Sequence, residues 1–93
     1  MSSKITNFLN ENGQLVSFPA KRKMKLQALV YLSSNFEQDK IYTEKEFNEI
    51  LNKWHTFGDP ATLRRELYDF MFVNREPNGK SYWLEKEQPQ IEE

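Results

Sequence analysis

Ninety-three residues, 38 % of them hydrophobic and 14 % aromatic, suffice for one domain with one core, and no apolar run nears the roughly 20 residues of a membrane-spanning helix. Zero Cys and a single His exclude disulfides, thiol catalysis and thiolate metal centres, so no metal or cofactor is expected. The net charge of −1 is unevenly spread: residues 85–93 carry four acids and one base, whereas 1–84 are mildly basic, with Lys21, Arg22, Lys23 and Lys25 crowded into five positions.

The start, Met1-Ser2-Ser3-Lys4, is not followed by the apolar stretch of a signal peptide. With the lack of Cys, this points to a reducing, cytoplasmic setting with no membrane partner. Residues 4–10 read as a short helix with Ile5, Phe8 and Leu9 on one side. Asn12-Gly13 marks a turn, and the weak alternation of 14–18 suggests a strand or extended segment. Pro19 suits a first helical turn, so a helix is expected over 20–36. Its apolar positions form two adjacent stripes, Met24, Ala28, Tyr31 and Leu32 beside Leu26, Leu29, Val30 and Ser33. A stripe that wide belongs to a helix packed on more than one side.

Ile41-Tyr42 is a short extended pair. Thr43-Glu44-Lys45-Glu46 then has the form of a capping box, and Phe47, Ile50, Leu51 and Trp54 follow at helical spacing. After the connector 55–58, Asp59-Pro60 reads as N-cap and first residue of a helix whose apolar stripe is Leu63, Leu67 and Phe70. Residues 72–76 and 80–84 read as strands joined by the turn Glu76-Pro77-Asn78-Gly79, with Glu76 facing Lys80. The stretch 85–93 lacks periodicity and is expected to be a disordered acidic tail.

Three helices followed by a hairpin, the last two helices a few residues apart, give an α+β, mainly helical chain. The arrangement is that of a winged helix-turn-helix with a C-terminal β-hairpin wing, one domain over 1–84. In such a fold the second helix of the pair enters the DNA major groove. Its exposed candidates are Thr62, Arg64, Arg65, Tyr68 and Asp69; an arginine there can pair with guanine or bind phosphate. The competing expectation is that Arg64 or Arg65 pairs with Glu44, Glu46 or Glu66 and only supports the fold. Lys21, Arg22, Lys23 and Lys25 stand at a helix start, where cations are locally unfavourable and a bound phosphate would be welcome. Arg75 and Lys80 flank the hairpin tip within reach of a DNA backbone. Phe72, Tyr82 and Trp83 are expected to pack in the core and sheet rather than to stack on a ligand.

Catalysis finds no support. His55 has no nucleophile elbow for company, and glycines at 13, 58 and 79 cannot form a phosphate loop. Glu44, Glu46 and Glu49 are explained by capping and solvation. The chain is therefore expected to be a non-enzymatic DNA-binding transcriptional regulator, with a homodimer reading two half-sites in view. The alternative is a protein–protein interaction module on the same fold, favoured by the near-zero net charge.

A family resemblance runs through these positions. Tyr42-Thr43-Glu44, Phe47-Asn48, Ile50-Leu51, Asp59, Leu63-Arg64-Arg65 and Leu67 resemble domain-of-unknown-function family 2087, as do Arg75, Gly79 and Tyr82 in the hairpin and Pro19 with Lys21 to Lys25 upstream. The resemblance spans about residues 16–84. It implies a winged-helix type associated with bacterial transcriptional regulators, DNA binding without other activity, and frequent pairing with a second domain. The chain departs from the pattern in having no length for that second domain, in Phe47 where a smaller aliphatic is usual, and in its acidic tail.

Overall fold

The computed structural model of the chain describes residues 3–89, and residues 90–93 of the expected tail lie outside them. A 3-10 helix, Ser3–Phe8, precedes α1 (Arg22–Ser33), β1 (Tyr42–Thr43), α2 (Glu44–Trp54), α3 (Pro60–Asp69), β2 (Val73–Arg75) and β3 (Ser81–Leu84). The strands form one antiparallel sheet in the order β1-β3-β2, so the short strand before α2 closes onto the terminal hairpin.

The expected strand over 14–18 is only a pair of isolated bridges at Leu15, one to Leu9 and one to His55. Leu15 donates its N–H to the Trp54 carbonyl at 2.8 Å and accepts from Thr56 at 3.0 Å. Its fully buried side chain thereby pins the N-terminal arm to the end of α2.

Helix α1 is shorter at both ends than the sequence suggests. It begins at Arg22, with Lys21 as an extended N-cap lacking a side-chain cap, so Pro19 lies before the helix, buried, rather than in its first turn. At the other end, Ser33, Ser34 and Asn35 turn their side chains back to the carbonyls of Val30 and Tyr31. Side-chain bonds of this kind compete with helical propagation, and the helix stops. The buried face also differs: Val30 is 38 % exposed, and Gln27, at 6 %, takes a place among Ala28, Leu29 and Leu32. The reason is tertiary, since α1 packs against α3 and the N-terminal 3-10 helix, which leaves Val30 uncovered.

The capping box at α2 is complete. Thr43 Oγ1 accepts from the Glu46 N–H at 3.1 Å, and Glu46 Oε1 accepts from the Thr43 N–H at 2.9 Å. Phe47 and Leu51 are fully buried, and Ile50 and Trp54 pack at the core's edge. Phe47 stacks between Phe36, at 4.3 Å between ring centres, and Tyr82, at 5.1 Å. Such ring pairs add about 0.5–1.5 kcal/mol beyond the area buried, so the large side chain ties α2 to the sheet.

His55 closes α2. Its Nδ1 lies 2.6 Å from the Leu51 carbonyl, and its Nε2 accepts from the Asp59 N–H at 2.9 Å. A carbonyl only accepts and an amide N–H only donates, so the hydrogen sits on Nδ1. Both ring nitrogens are spent on backbone, and this buried histidine is a brace for the turn into α3. There Asp59 accepts from the Thr62 N–H at 3.2 Å with Pro60 at the first helical position. Leu63 and Leu67, fully buried, face the core.

The hairpin register pairs Val73 with Leu84, Asn74 with Trp83 and Arg75 with Tyr82. Glu76 therefore faces Ser81 and bonds to it at 3.0 Å, not Lys80. Asn78 Oδ1 accepts the Lys80 N–H at 2.9 Å, drawing Lys80 into the loop. Gly79, at φ +73, donates to Glu76 and supplies the left-handed residue that the turn needs. Phe72 and Tyr82 are buried as expected, and so is Leu84, whereas Trp83 points away from the core and is only half-buried. The acidic segment does not begin unpaired at Glu85: Glu85 donates to the Phe72 carbonyl at 3.0 Å, and Gln88 Nε2 reaches the same oxygen at 2.9 Å.

Candidate functional site

Helix α3 presents two flanks. Leu63 and Leu67 define its buried side, and at 100° per residue Glu66 falls to one side of them and Arg64 and Tyr68 to the other. On the first flank Glu66 meets Lys25 of α1 at 3.8 Å. On the second, Arg64 and Tyr68 meet the sheet, and a groove of about 560 Å³ opens between α3 and the hairpin.

Five of the expected site residues line that groove: Thr62, Arg64, Arg65, Tyr68 and Arg75. Arg64 is half-buried; its Nη1 donates to Asn48 Oδ1 at 2.5 Å, and its guanidinium lies 5.6 Å from the centre of the Tyr82 ring. Arg75 lies 4.9 Å over the Tyr68 ring. Arg65 is exposed and makes no ion pair among the described residues. The expected pairing of these arginines with Glu44, Glu46 or Glu66 does not occur: Glu46 is held by Thr43, Glu66 by Lys25, and Glu44 borders the groove without an ion pair among the described residues. The groove thus holds three guanidinium groups, those of Arg64 and Arg75 oriented by rings and an amide and that of Arg65 exposed, with two carboxylates, Glu44 and Asp69, at its edge. A multidentate anion such as phosphate, or the planar edge of a base, is the ligand such groups recognise.

Thr62 also borders the groove, but it serves the helix cap. Its hydroxyl, and then its N–H, bond to Asp59 and hold that carboxyl below its ordinary value of 3.8.

The basic cluster stands on the opposite flank. Lys21 and Lys23 are exposed at the start of α1. Arg22 is turned onto the Phe70 ring at 5.2 Å, and Lys25 onto Phe18 at 5.6 Å and Phe70 at 6.0 Å as well as Glu66. Two of the four cations are therefore engaged with α3 and its C-cap, and two project outward. Lys80 is exposed in the hairpin loop and does not line the groove.

Sequence reasoning alone did not place Asn48, Gly79 or Tyr82 in the site. Asn48 orients Arg64, and Gly79 lies beside Arg75 and Tyr82, its left-handed φ of +73 setting the hairpin turn. All three belong to the positions that carry the family resemblance, which was the one available signal.

A family model described as "Uncharacterized protein conserved in bacteria (DUF2087)" matches residues 14–84. The chain belongs to this family. The matched span runs from the arm residue Gln14 to the last residue of β3, so it contains α1, the groove and the hairpin. No curated protein and no solved structure matches the chain. Among the described residues no helix is long and apolar enough to cross a membrane.

Proposed function

We propose that this DUF2087 domain is a winged helix-turn-helix that binds duplex DNA as a bacterial transcriptional regulator. In this reading α3 lies in the major groove, the β2–β3 hairpin is the wing, and the start of α1 holds backbone phosphate. The observation that carries it is the groove itself. Arg65 and Tyr68 of α3 stand beside Arg75 of the hairpin, and none of the groove's three arginines is neutralised by an ion pair among the described residues. The element order, with β1 closing onto the hairpin ahead of the α2–α3 pair, supports the winged-helix assignment. Lys21 and Lys23 add sequence-independent attraction on the other flank of α3.

Affinity for duplex DNA across a salt series tests the reading. DNA binding falls steeply with salt, by about 0.9 in logarithmic slope for each phosphate neutralised. The contrary reading, a protein-interaction module on the same fold, draws on Glu44 and Asp69 at the groove edge and on the net charge of −1. It predicts no measurable duplex affinity even at low salt.

A further inference from the structure

On the side of the sheet turned away from the core lies a second groove, of about 820 Å³, whose floor is apolar. Trp83 forms one part of it, since Tyr82 and Leu84 on either side point inward. Ile41 forms another; extending the register that pairs Tyr42 with Tyr82 sets it across from Trp83, and it is 68 % exposed. Met71 completes the floor at 63 % exposed. The rim carries Asp39, Glu76, Glu85 and Glu87 against two lysines, a local excess of acid.

Met71 is the telling residue. It follows the C-cap of α3, with its N–H on the Tyr68 carbonyl at 3.0 Å and the next N–H, of Phe72, on the Leu67 carbonyl at 2.9 Å. This pair of hydrogen bonds demands a left-handed residue, and Met71 adopts φ +69. Glycine fills such a position without steric cost, whereas a long side chain is disfavoured. The Met71 side chain gains nothing from the core, yet it stands out over the groove. A side chain that opposes its own backbone and contributes nothing to the core has its reason outside the fold.

We propose that this groove docks a cationic amphipathic helix of a protein partner. Apolar residues on one helix face would cover Ile41, Met71 and Trp83, and Lys or Arg at its margins would meet the acidic rim. Methionine suits this role because its unbranched, polarisable side chain adapts to varied partners. A second copy of the chain fits poorly, because a two-fold contact would set this acidic rim against itself. Nucleic acid is repelled by the same carboxylates. The proposal is independent of DNA binding, which uses the groove between α3 and the hairpin.

The test is an NMR titration of the whole chain with a Lys/Leu amphipathic helical peptide, beside a Glu/Leu peptide of the same apolar pattern. Binding of the Lys/Leu peptide should move the Trp83 indole signal and the amides around Ile41, Met71 and Glu85, while the Glu/Leu peptide leaves them in place. Met71→Gly should keep or raise the melting temperature and weaken peptide binding about tenfold, the usual loss for a central apolar anchor. The pair Glu85→Lys and Glu87→Lys should shift the preference toward the Glu/Leu peptide. Equal binding of both peptides, no response at the groove, or unchanged affinity in Met71→Gly overturns the proposal. A groove response that depends on protein concentration without any peptide overturns it in favour of self-association.

Discussion

The guanidinium of Arg75 lies 4.9 Å from the centre of the Tyr68 ring, so the hairpin and the third helix are clasped across the mouth of the arginine groove. Gly79 of the hairpin loop lines the same groove as Arg75 and Tyr68. A cation over an exposed ring contributes about 0.5–1 kcal/mol. A double-mutant cycle with Arg75→Ala and Tyr68→Ala should return a coupling of about that size in unfolding free energy. Arg75→Lys keeps the charge but loses the planar stack, and should retain only part of it. Strictly additive effects would show that the two residues do not interact.

The two flanks of α3 should differ in what they do to DNA binding. Lys21→Gln with Lys23→Gln should weaken all sequences alike and lower the salt slope by about 0.9 for each phosphate that is no longer neutralised. Arg65→Ala should cost about 1–3 kcal/mol at a preferred site and blur selection there. Arg64→Ala is expected to affect stability as well, because its guanidinium is bonded to Asn48 and lies over Tyr82. Gel-shift or anisotropy titrations against a randomised duplex pool distinguish these patterns. If duplex binding is unchanged in all of these folded variants, the DNA reading fails.

Leu67 is fully buried at the centre of α3's inner face. Leu67→Ala should cost about 2–5 kcal/mol, from the forfeited transfer energy and the cavity left behind. Urea unfolding measures it, and a shift below about 1 kcal/mol would place this side chain outside the core.

The caps of α2 and α3 make stability depend on acid. Thr43→Ala should cost about 0.5–2 kcal/mol at neutral pH. The Thr43 N–H holds the Glu46 carboxyl below its ordinary value of 4.5, and Thr62 holds Asp59 below 3.8. A carboxylate with a lowered folded pKa contributes fully above its unfolded value and loses that contribution as pH falls through the folded one. Stability should therefore be insensitive to these two groups at neutral pH and should decline once pH drops below about 4.5. Glu46→Gln and Asp59→Asn should each flatten the decline in urea midpoints measured from neutral to acid pH. Identical acid limbs in variant and parent would show that the caps do not titrate with folding.

Local rules were sufficient for α2 and α3. The capping box, the Asp59-Pro60 start and the inward positions Phe47, Leu51, Leu63 and Leu67 depend on neighbours within one helical turn, and the sequence displays those neighbours directly. The α+β class followed from the same signals, and so did the family, from residues spread along 16–84. The candidate arginines were also legible, as charges left over once the apolar stripes had been assigned.

What the sequence could not settle was set by contacts between distant segments. Leu15 is buried because the end of α2 receives its backbone, and no alternation within 14–18 encodes that. Val30 is exposed and Gln27 buried because of where α3 and the N-terminal arm cover α1. In the hairpin the Lys80 N–H donates to Asn78 Oδ1 within the loop, and strand pairing resumes at Ser81, so the loop is one residue longer than local turn rules suggest. Glu85 and Gln88 joined the fold because the Phe72 carbonyl lay within reach of both. The sequence alone thus determined the helices of the middle of the chain and the charges they carry. Only the tertiary structure decided which of those charges meet, because proximity across elements depends on chain crossings that no local spacing records.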